Sequence, residues 1–146
     1  MNTHNANGGN GSAVGAVLRI EPRWTDLDPL GHVTNSVFLV YAEEARARYL
    51  RAVLPEAWSS VVVVHNAVDY HAPVHETDVV EVSSVVDDVG TSSLTTVNVM
   101  ITAKGPCATV RTVQVVLREA GSGTRPWTAS ERAALEAASE SQEERV

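Results

Sequence analysis

The chain has 146 residues, enough for one domain with a hydrophobic core of ordinary size. Its formal net charge of −7 and its lack of a Lys/Arg cluster argue against binding to nucleic acid or to an anionic membrane. The single cysteine, Cys107, excludes an intrachain disulfide and a cysteine zinc cluster, and no stretch is apolar for long enough to span a bilayer.

The two ends of the chain differ in composition from its middle. Residues 1–15 are rich in Asn, Gly and Ser, and we predict a disordered arm there. No basic region precedes an apolar run, so we expect no signal peptide and a cytoplasmic location. Residues 16–120 form the predicted domain. Residues 121–146 are predicted to hold a Gly/Ser linker, a short helix opened by a Thr128–Glu131 capping box, and a frayed tail.

The first half of the domain predicts a strand, a turn and a long helix. Val17–Trp24 is typical of a strand, and Asp28–Gly31 has the Pro and Gly of a tight turn. A helix is predicted over Asn35–Val53, with Asn35 as its N-cap and Pro55 beyond its end. Its apolar face holds residues at helical spacing: Phe38, Ala42, Ala45, Tyr49 and Val53.

After the helix, apolar residues recur with a period of two. Four runs rich in Val and Thr predict antiparallel strands at about 60–71, 77–89, 92–104 and 107–118. The order of strand, long helix and four further strands predicts an α+β fold, in which one long helix packs on an antiparallel sheet of about five strands.

Two carboxylates lie just before the predicted helix. Asp28 can simply cap its turn, or it can be a catalytic carboxylate aimed at the N-terminus of the helix that begins near Asn35. Free N–H groups there can hold a carbonyl oxygen that becomes negative. Asp26 competes for this role, although a solvated or ion-paired Asp26 is the favoured interpretation. Strand alternation puts it on the same face as Asp28, where repulsion is expected to raise the pKa of one of the two.

The residues around Asp28 resemble a known family. The segment Arg23–Asn35 reads Arg-Trp-x-Asp-x-Asp-x-x-Gly-His-Val-x-Asn, and Phe38 and Tyr41–Arg46 follow in the helix. This pattern resembles the hotdog-fold acyl-CoA thioesterases of the 4-hydroxybenzoyl-CoA thioesterase family. The likeness extends over about residues 17–118 as an order of elements. Thr34 and Phe38 depart from the residues that many members carry.

The resemblance implies a fold, an assembly and a catalytic pair. The fold would be a hotdog, a long central helix wrapped by a curved sheet, and the chains would form a homodimer or a homotetramer with active sites between them. Asp28 would be the catalytic carboxylate, and the backbone N–H at Asn35 would polarise the thioester carbonyl. Gly31 and His32 match the turn between them and are expected to bind substrate. No cofactor is implied, because CoA is part of the substrate.

Polar residues of the first strand after the helix are further candidates. His65 and Asn66 interrupt an apolar strand whose counterpart lines the cleft in the hotdog family, so we expect them to bind substrate, against the alternative of simple edge or core polar residues. His65, His71 and His75 share strand parity, but Pro73 interrupts the run, and we predict no metal site. The residues that hold the CoA phosphates stay open among four candidates: Arg48, Arg51, Lys104 and Arg111.

The predicted function is hydrolysis of an acyl-CoA thioester, or of an acyl-carrier thioester, to a free acid. Two alternatives remain. A hotdog hydratase or dehydratase would use a histidine, for which His32 and His65 are available, and a binding module would hold the thioester without turnover. A serine hydrolase is excluded, because the chain has no Gly-x-Ser-x-Gly motif and the wrong order of elements.

Overall fold

The computed structural model describes residues 17–119 and 121–143. Within these ranges, two α-helices and five strands follow one another, and the strands form one antiparallel sheet in the order β1-β3-β4-β5-β2. The predicted α+β architecture is therefore confirmed. In chain order the elements are β1 (Leu18–Ile20), α1 (Asn35–Val53), β2 (Val61–Tyr70), β3 (Val80–Val89), β4 (Ser93–Thr102), β5 (Gly105–Val116) and α2 (Ala129–Glu143).

The first strand is shorter than the predicted Val17–Trp24. β1 pairs with β3 only as far as Ile20. Pro22 has no N–H to donate to the ladder, and Trp24–Asp26 form a 3₁₀ turn instead of extending the strand. The early end of β1 leaves residues 27–34 as the loop that leads into the long helix.

Helix α1 covers the predicted residues, but the prediction that Asn35 is its N-cap is wrong. Thr34 is the N-cap, with an extended backbone, and Asn35 is the first helical residue. The Thr34 N–H donates to the carbonyl of Asp26 at 2.9 Å, and the Thr34 carbonyl accepts the N–H of Val37 at 2.9 Å. With Thr34 in the N-cap position, helical geometry begins at Asn35, one residue earlier than an N-cap at Asn35 would place it.

The buried face of α1 is the predicted one. Its apolar residues lie against the sheet in two clusters, one around each half of the helix. On the exposed side, Glu44 and Arg48 lie four residues apart and form an ion pair at 3.0 Å. The five predicted residues are all buried: Phe38, Ala42, Ala45, Tyr49 and Val53.

Helix α2 begins with the predicted capping box. The Thr128 N–H donates to Glu131 Oε1 at 2.8 Å, and the Glu131 N–H donates to Thr128 Oγ1 at 3.2 Å. The helix runs to Glu143 and is longer than the short one expected, and its Leu135 is fully buried in the second apolar cluster. Just before the helix, the Trp127 indole N–H donates to the carbonyl of Ser93 at 2.9 Å.

Strand β2 forms one edge of the sheet and pairs only with β5. Val62, Val63 and Val64 on this strand are 38%, 41% and 58% exposed. A bulge lies between Val63 and His65. In the single chain, β2 therefore presents both apolar side chains and an unpaired backbone edge.

Some predictions on the chain ends fall outside the described residues. These are the disordered arm, residues 1–15, and the last part of the tail, residues 144–146. Among the described helices, none is long and apolar enough to cross a membrane.

Candidate active site

The turn between Asp28 and His32 is closed by its own backbone. The Gly31 N–H donates to the Asp28 carbonyl at 3.0 Å, and the Asp28 N–H donates to the His32 carbonyl at 2.7 Å. Gly31 has a φ of +78°, which side chains disfavour and glycine adopts freely. The sequence thus builds a tight turn here because Gly stands where the backbone must enter the left-handed region.

The two oxygens of the Asp28 carboxylate have different surroundings. Oδ1 accepts the backbone N–H groups of Leu30 at 2.9 Å and of His32 at 3.0 Å. No hydrogen bond to Oδ2 occurs among the described residues. One oxygen therefore orients the carboxylate, and the other is available to take a proton or to attack a carbonyl carbon. The turn-capping role and the catalytic role weighed in the sequence are compatible.

The start of α1 offers hydrogen-bond donors close to this turn in the chain. Asn35 and Ser36 are the first helical residues, and in the described part of the chain their backbone N–H groups have no acceptor. The Asn35 side chain is exposed. Tyr70, from the end of β2, donates its hydroxyl to the Asn35 carbonyl at 2.9 Å and packs its ring edge-on against Phe38. Tyr70 thereby connects the first turn of α1 to the edge strand β2.

Asp26 is a buried structural carboxylate, with 2% of its surface exposed. It accepts the backbone N–H of Arg23 at 2.9 Å, the Arg23 guanidinium at 3.0 Å and the Tyr41 hydroxyl at 2.8 Å. Burial raises the pKa of Asp26, but the hydrogen bonds from Arg23 and Tyr41 outweigh burial and leave that pKa below its ordinary value. The expected rise in pKa from repulsion between the two carboxylates is wrong for Asp26, because these donors hold its charge.

His32 and His75 lie side by side next to the turn. Their backbones form an antiparallel bridge, and their rings meet edge-on with centroids 4.7 Å apart. The His75 N–H donates to Asp78 Oδ2 at 2.9 Å. His32 thus contacts Asp28 through its backbone, while its ring packs on another histidine.

Asp28 lines a surface cleft of about 550 Å³. Trp24 stands at this cleft with 80% of its surface exposed, and the exposed Glu76 lies on it as well. The sequence interpretation missed both, since neither Trp24 nor Glu76 carries a pattern beyond its residue type. The cleft is lined by Trp24, Thr25, Leu27, Asp28, Pro29, Gly31 and Glu76.

Of the four predicted substrate-binding residues, Gly31 lines this cleft, whereas His32, His65 and Asn66 do not. Asn66 Oδ1 accepts the hydroxyl of Thr112 at 2.7 Å, and that hydroxyl oxygen also accepts the buried guanidinium of Arg46 at 3.3 Å. His65 is exposed and precedes Asn66 on the strand, so the two side chains point to opposite faces of the sheet. Within one chain, Asp28, Gly31 and His32 come together, whereas His65 and Asn66 lie elsewhere.

The basic candidates for CoA phosphates all have partners within this chain. Arg48 pairs with Glu44, and the other three pair with an aromatic ring or a carboxylate. These contacts are Arg51 over the Trp58 ring at 4.6 Å, Lys104 with Asp78 at 3.2 Å, and Arg111 with Asp87 at 2.7 Å. Each would have to share its charge with a bound phosphate.

The three histidines of the rejected metal site are dispersed. His71 Nε2 is 3.0 Å from Thr109 Oγ1, whereas His75 packs on His32. Among the described residues, no group of three or more His, Cys, Asp or Glu side chains is arranged to hold a metal ion.

Comparison with known proteins places these features in context. A family model described as the thioesterase-like superfamily matches residues 22–137. A thioesterase from Thermus thermophilus, solved with coenzyme A and Zn, is 34% identical over 85% of this chain and 93% of its own, with a TM-score of 0.78. A comparison with curated protein sequences finds no significant match.

Two further solved structures share the fold at lower identity. A predicted thioesterase from Bacillus stearothermophilus is 23% identical over 83% of this chain and 93% of its own, with a TM-score of 0.76. A Staphylococcus aureus protein solved in complex with CoA is 11% identical over 85% of this chain and 83% of its own, with a TM-score of 0.77. The arrangement of one long helix on a five-stranded antiparallel sheet is that of a hotdog fold, as expected.

Proposed function

Because the chain belongs to the thioesterase-like superfamily, we propose that it hydrolyses an acyl-CoA thioester to a free acid and CoA. The observation that carries the proposal is the Asp28 carboxylate. Two backbone N–H groups hold its Oδ1, and its Oδ2 is left for chemistry at an open cleft. The 34% identical Thermus thermophilus protein, a thioesterase solved with coenzyme A, supports a CoA thioester as the substrate.

The proposed reaction has two possible first steps. As a general base, Asp28 takes a proton from water while the water oxygen attacks the thioester carbon. As a nucleophile, Asp28 Oδ2 attacks that carbon itself and forms an anhydride, which water then cleaves. In both routes the carbon–sulfur bond breaks, and the sulfur leaves as a thiolate that takes up one proton. Water and the thioester are the only reactants.

The developing negative charge on the carbonyl oxygen needs donors. We assign this role to the backbone N–H groups of Asn35 and Ser36, which have no acceptor among the described residues and lie at the positive end of the α1 dipole. Loss of one such donor typically slows a reaction by about a hundredfold or more. Backbone donors also explain how Asn35 can act while its own side chain is exposed.

The proposed active unit is a homo-oligomer. The edge strand β2 carries exposed Val62, Val63 and Val64, and pairing of β2 with the β2 of a second chain would cover them and continue the sheet. His65 and Asn66 are on this strand, apart from the cleft of their own chain. Pairing would bring them toward the partner's site, which is how we reconcile them with substrate binding.

The test is a panel of short, medium, long and aromatic acyl-CoAs, with thiol release followed by a disulfide dye. Turnover of any member supports the proposal. Hydration of crotonyl-CoA without thiol release would replace it with a hydratase, and binding of acyl-CoA with neither reaction would replace it with a binding module. Thiol release from an acyl-carrier protein alone would keep the hydrolysis and change the substrate.

A further inference from the structure

The geometry points to the Asp26–Tyr41 hydrogen bond as the device that sets where Asp28 lies relative to the N-terminus of α1. Asp26 and Tyr41 are then positioning residues for the hydrolysis, an inference that rests on the proposed function. Neither side chain is needed to touch the thioester.

The bond connects the catalytic loop to the body of the helix. Tyr41 lies in the second turn of α1 and is 3% exposed, and its hydroxyl reaches Asp26 Oδ2 at 2.8 Å. Arg23 holds the same carboxylate from the other side, through its backbone N–H at 2.9 Å and its guanidinium at 3.0 Å. Asp26 is thus held from both sides, by Arg23 before the loop and by Tyr41 in the helix after it.

The backbone of Asp26 controls the helix start as well. Its carbonyl accepts the N–H of Thr34, the N-cap of α1, at 2.9 Å. Leu27 and Val33, the next residues inward from Asp26 and Thr34, form an antiparallel bridge that closes the loop. Since Asp28 follows two residues after Asp26, a shift of Asp26 must move both the Asp28 carboxylate and the free N–H groups after Thr34.

The charges at this contact favour a firm geometry. A buried carboxylate that accepts a phenol and a guanidinium makes charge-assisted bonds, which are shorter and stronger than neutral ones. Burial and the bond to Asp26 raise the pKa of Tyr41, so the hydroxyl stays protonated and keeps donating at neutral pH. A pair of apolar side chains could fill the same space with less desolvation, but it could not fix direction.

The experiment compares Tyr41→Phe with Tyr49→Phe in the thiol-release assay. Both tyrosines are buried in α1 at 3% exposure, but the Tyr49 hydroxyl faces the backbone of Val86 in β3 and makes no hydrogen bond to the loop that carries Asp28. We expect Tyr41→Phe to lower kcat by about tenfold to a hundredfold with KM within about threefold, since displacement by about 1 Å can cost that much. Tyr49→Phe should leave both constants unchanged.

Equal kcat for the two variants would overturn the inference, and so would a Tyr41→Phe effect confined to the thermal midpoint or to KM. Asp26→Asn gives a second variant, expected to lower kcat in the same way.

A readout independent of turnover separates this inference from the proposed function. In ¹H–¹⁵N spectra, Tyr41→Phe should shift the amides of Leu30, His32 and Asn35, whereas Tyr49→Phe should leave them in place. If these shifts occur in a protein that hydrolyses no thioester, the contact between loop and helix stands and the proposed function fails. If the amides do not move, the positioning role is refuted whatever the activity.

Discussion

Gly31→Ala perturbs the Asp28 turn through the backbone alone. Gly31 has a φ of +78°, and a Cβ built on it meets nothing within 4 Å, so no clash contributes. An alanine held at this positive φ is strained, and the strain should lower the free energy of unfolding by about 1–2 kcal/mol. If the turn relaxes to a negative φ, the N–H groups of Leu30 and His32 leave Asp28 Oδ1, and the carboxylate loses its orientation.

Gly123→Ala is the matched control, because Gly123 has a φ of +81° and equally open surroundings in the loop before α2. Urea unfolding should show a loss of about 1–2 kcal/mol in both variants. Thiol release should fall at least about tenfold in Gly31→Ala alone, because only that turn carries Asp28, the proposed catalytic carboxylate. Equal turnover in the two variants would refute the argument that the turn orients Asp28.

Three further predictions concern charge, thiol chemistry and assembly. Hydrogen bonds from the Arg125 guanidinium and from Thr128 lower the pKa of Glu131 from 4.5 to about 2, so these contacts stabilise the fold above pH 4.5 and the gain is lost as pH falls toward 2. Urea unfolding of Glu131→Gln should show on the order of 2–3 kcal/mol less stability at pH 7 and a flatter pH dependence below 4.5. Cys107 is 1% exposed and burial raises the pKa of its thiol, so disulfide dye should label the native chain only slowly, and the chain in urea at once. Rapid native labelling would contradict its burial. Val64→Lys should dissociate the proposed oligomer into monomers in analytical ultracentrifugation, because Val64 is 58% exposed on the edge strand. An oligomer of unchanged mass would contradict an interface through β2.

The sequence predicts the elements well where one periodicity dominates. The bounds of α1 are correct because its apolar face repeats over 19 residues and Pro55 follows its end. The strands after it are correct to within a few residues. Val17–Trp24 fails because a short edge strand has little pairing to lose, and the turn at Trp24–Asp26 is stabilised by side-chain bonds that alternation cannot reveal.

The candidate site is predictable in its local part. Asp28 and Gly31 are close in sequence and form one turn, so residue types alone place them together. The ion pair expected as one alternative for Asp26 is present, with Arg23. Its hydrogen bond from the Tyr41 hydroxyl was not predicted, because Tyr41 is 15 residues away and no local pattern shows that its side chain reaches back to the loop. Asn35 was wrongly predicted as the N-cap of α1. The hydrogen bond from the Thr34 N–H to the Asp26 carbonyl sets where the helix begins, and the sequence pattern does not reveal it.

The most direct test of the account is kcat for thiol release by Asp28→Asn beside the wild type, on the best acyl-CoA of the panel. Asparagine keeps an oxygen for the N–H groups of Leu30 and His32, so the turn should persist, as the ¹H–¹⁵N spectrum can verify. It removes the base or nucleophile. We predict a fall of roughly a thousandfold in kcat with the fold intact. Turnover within about tenfold of the wild type would contradict the account and move the chemistry to another residue.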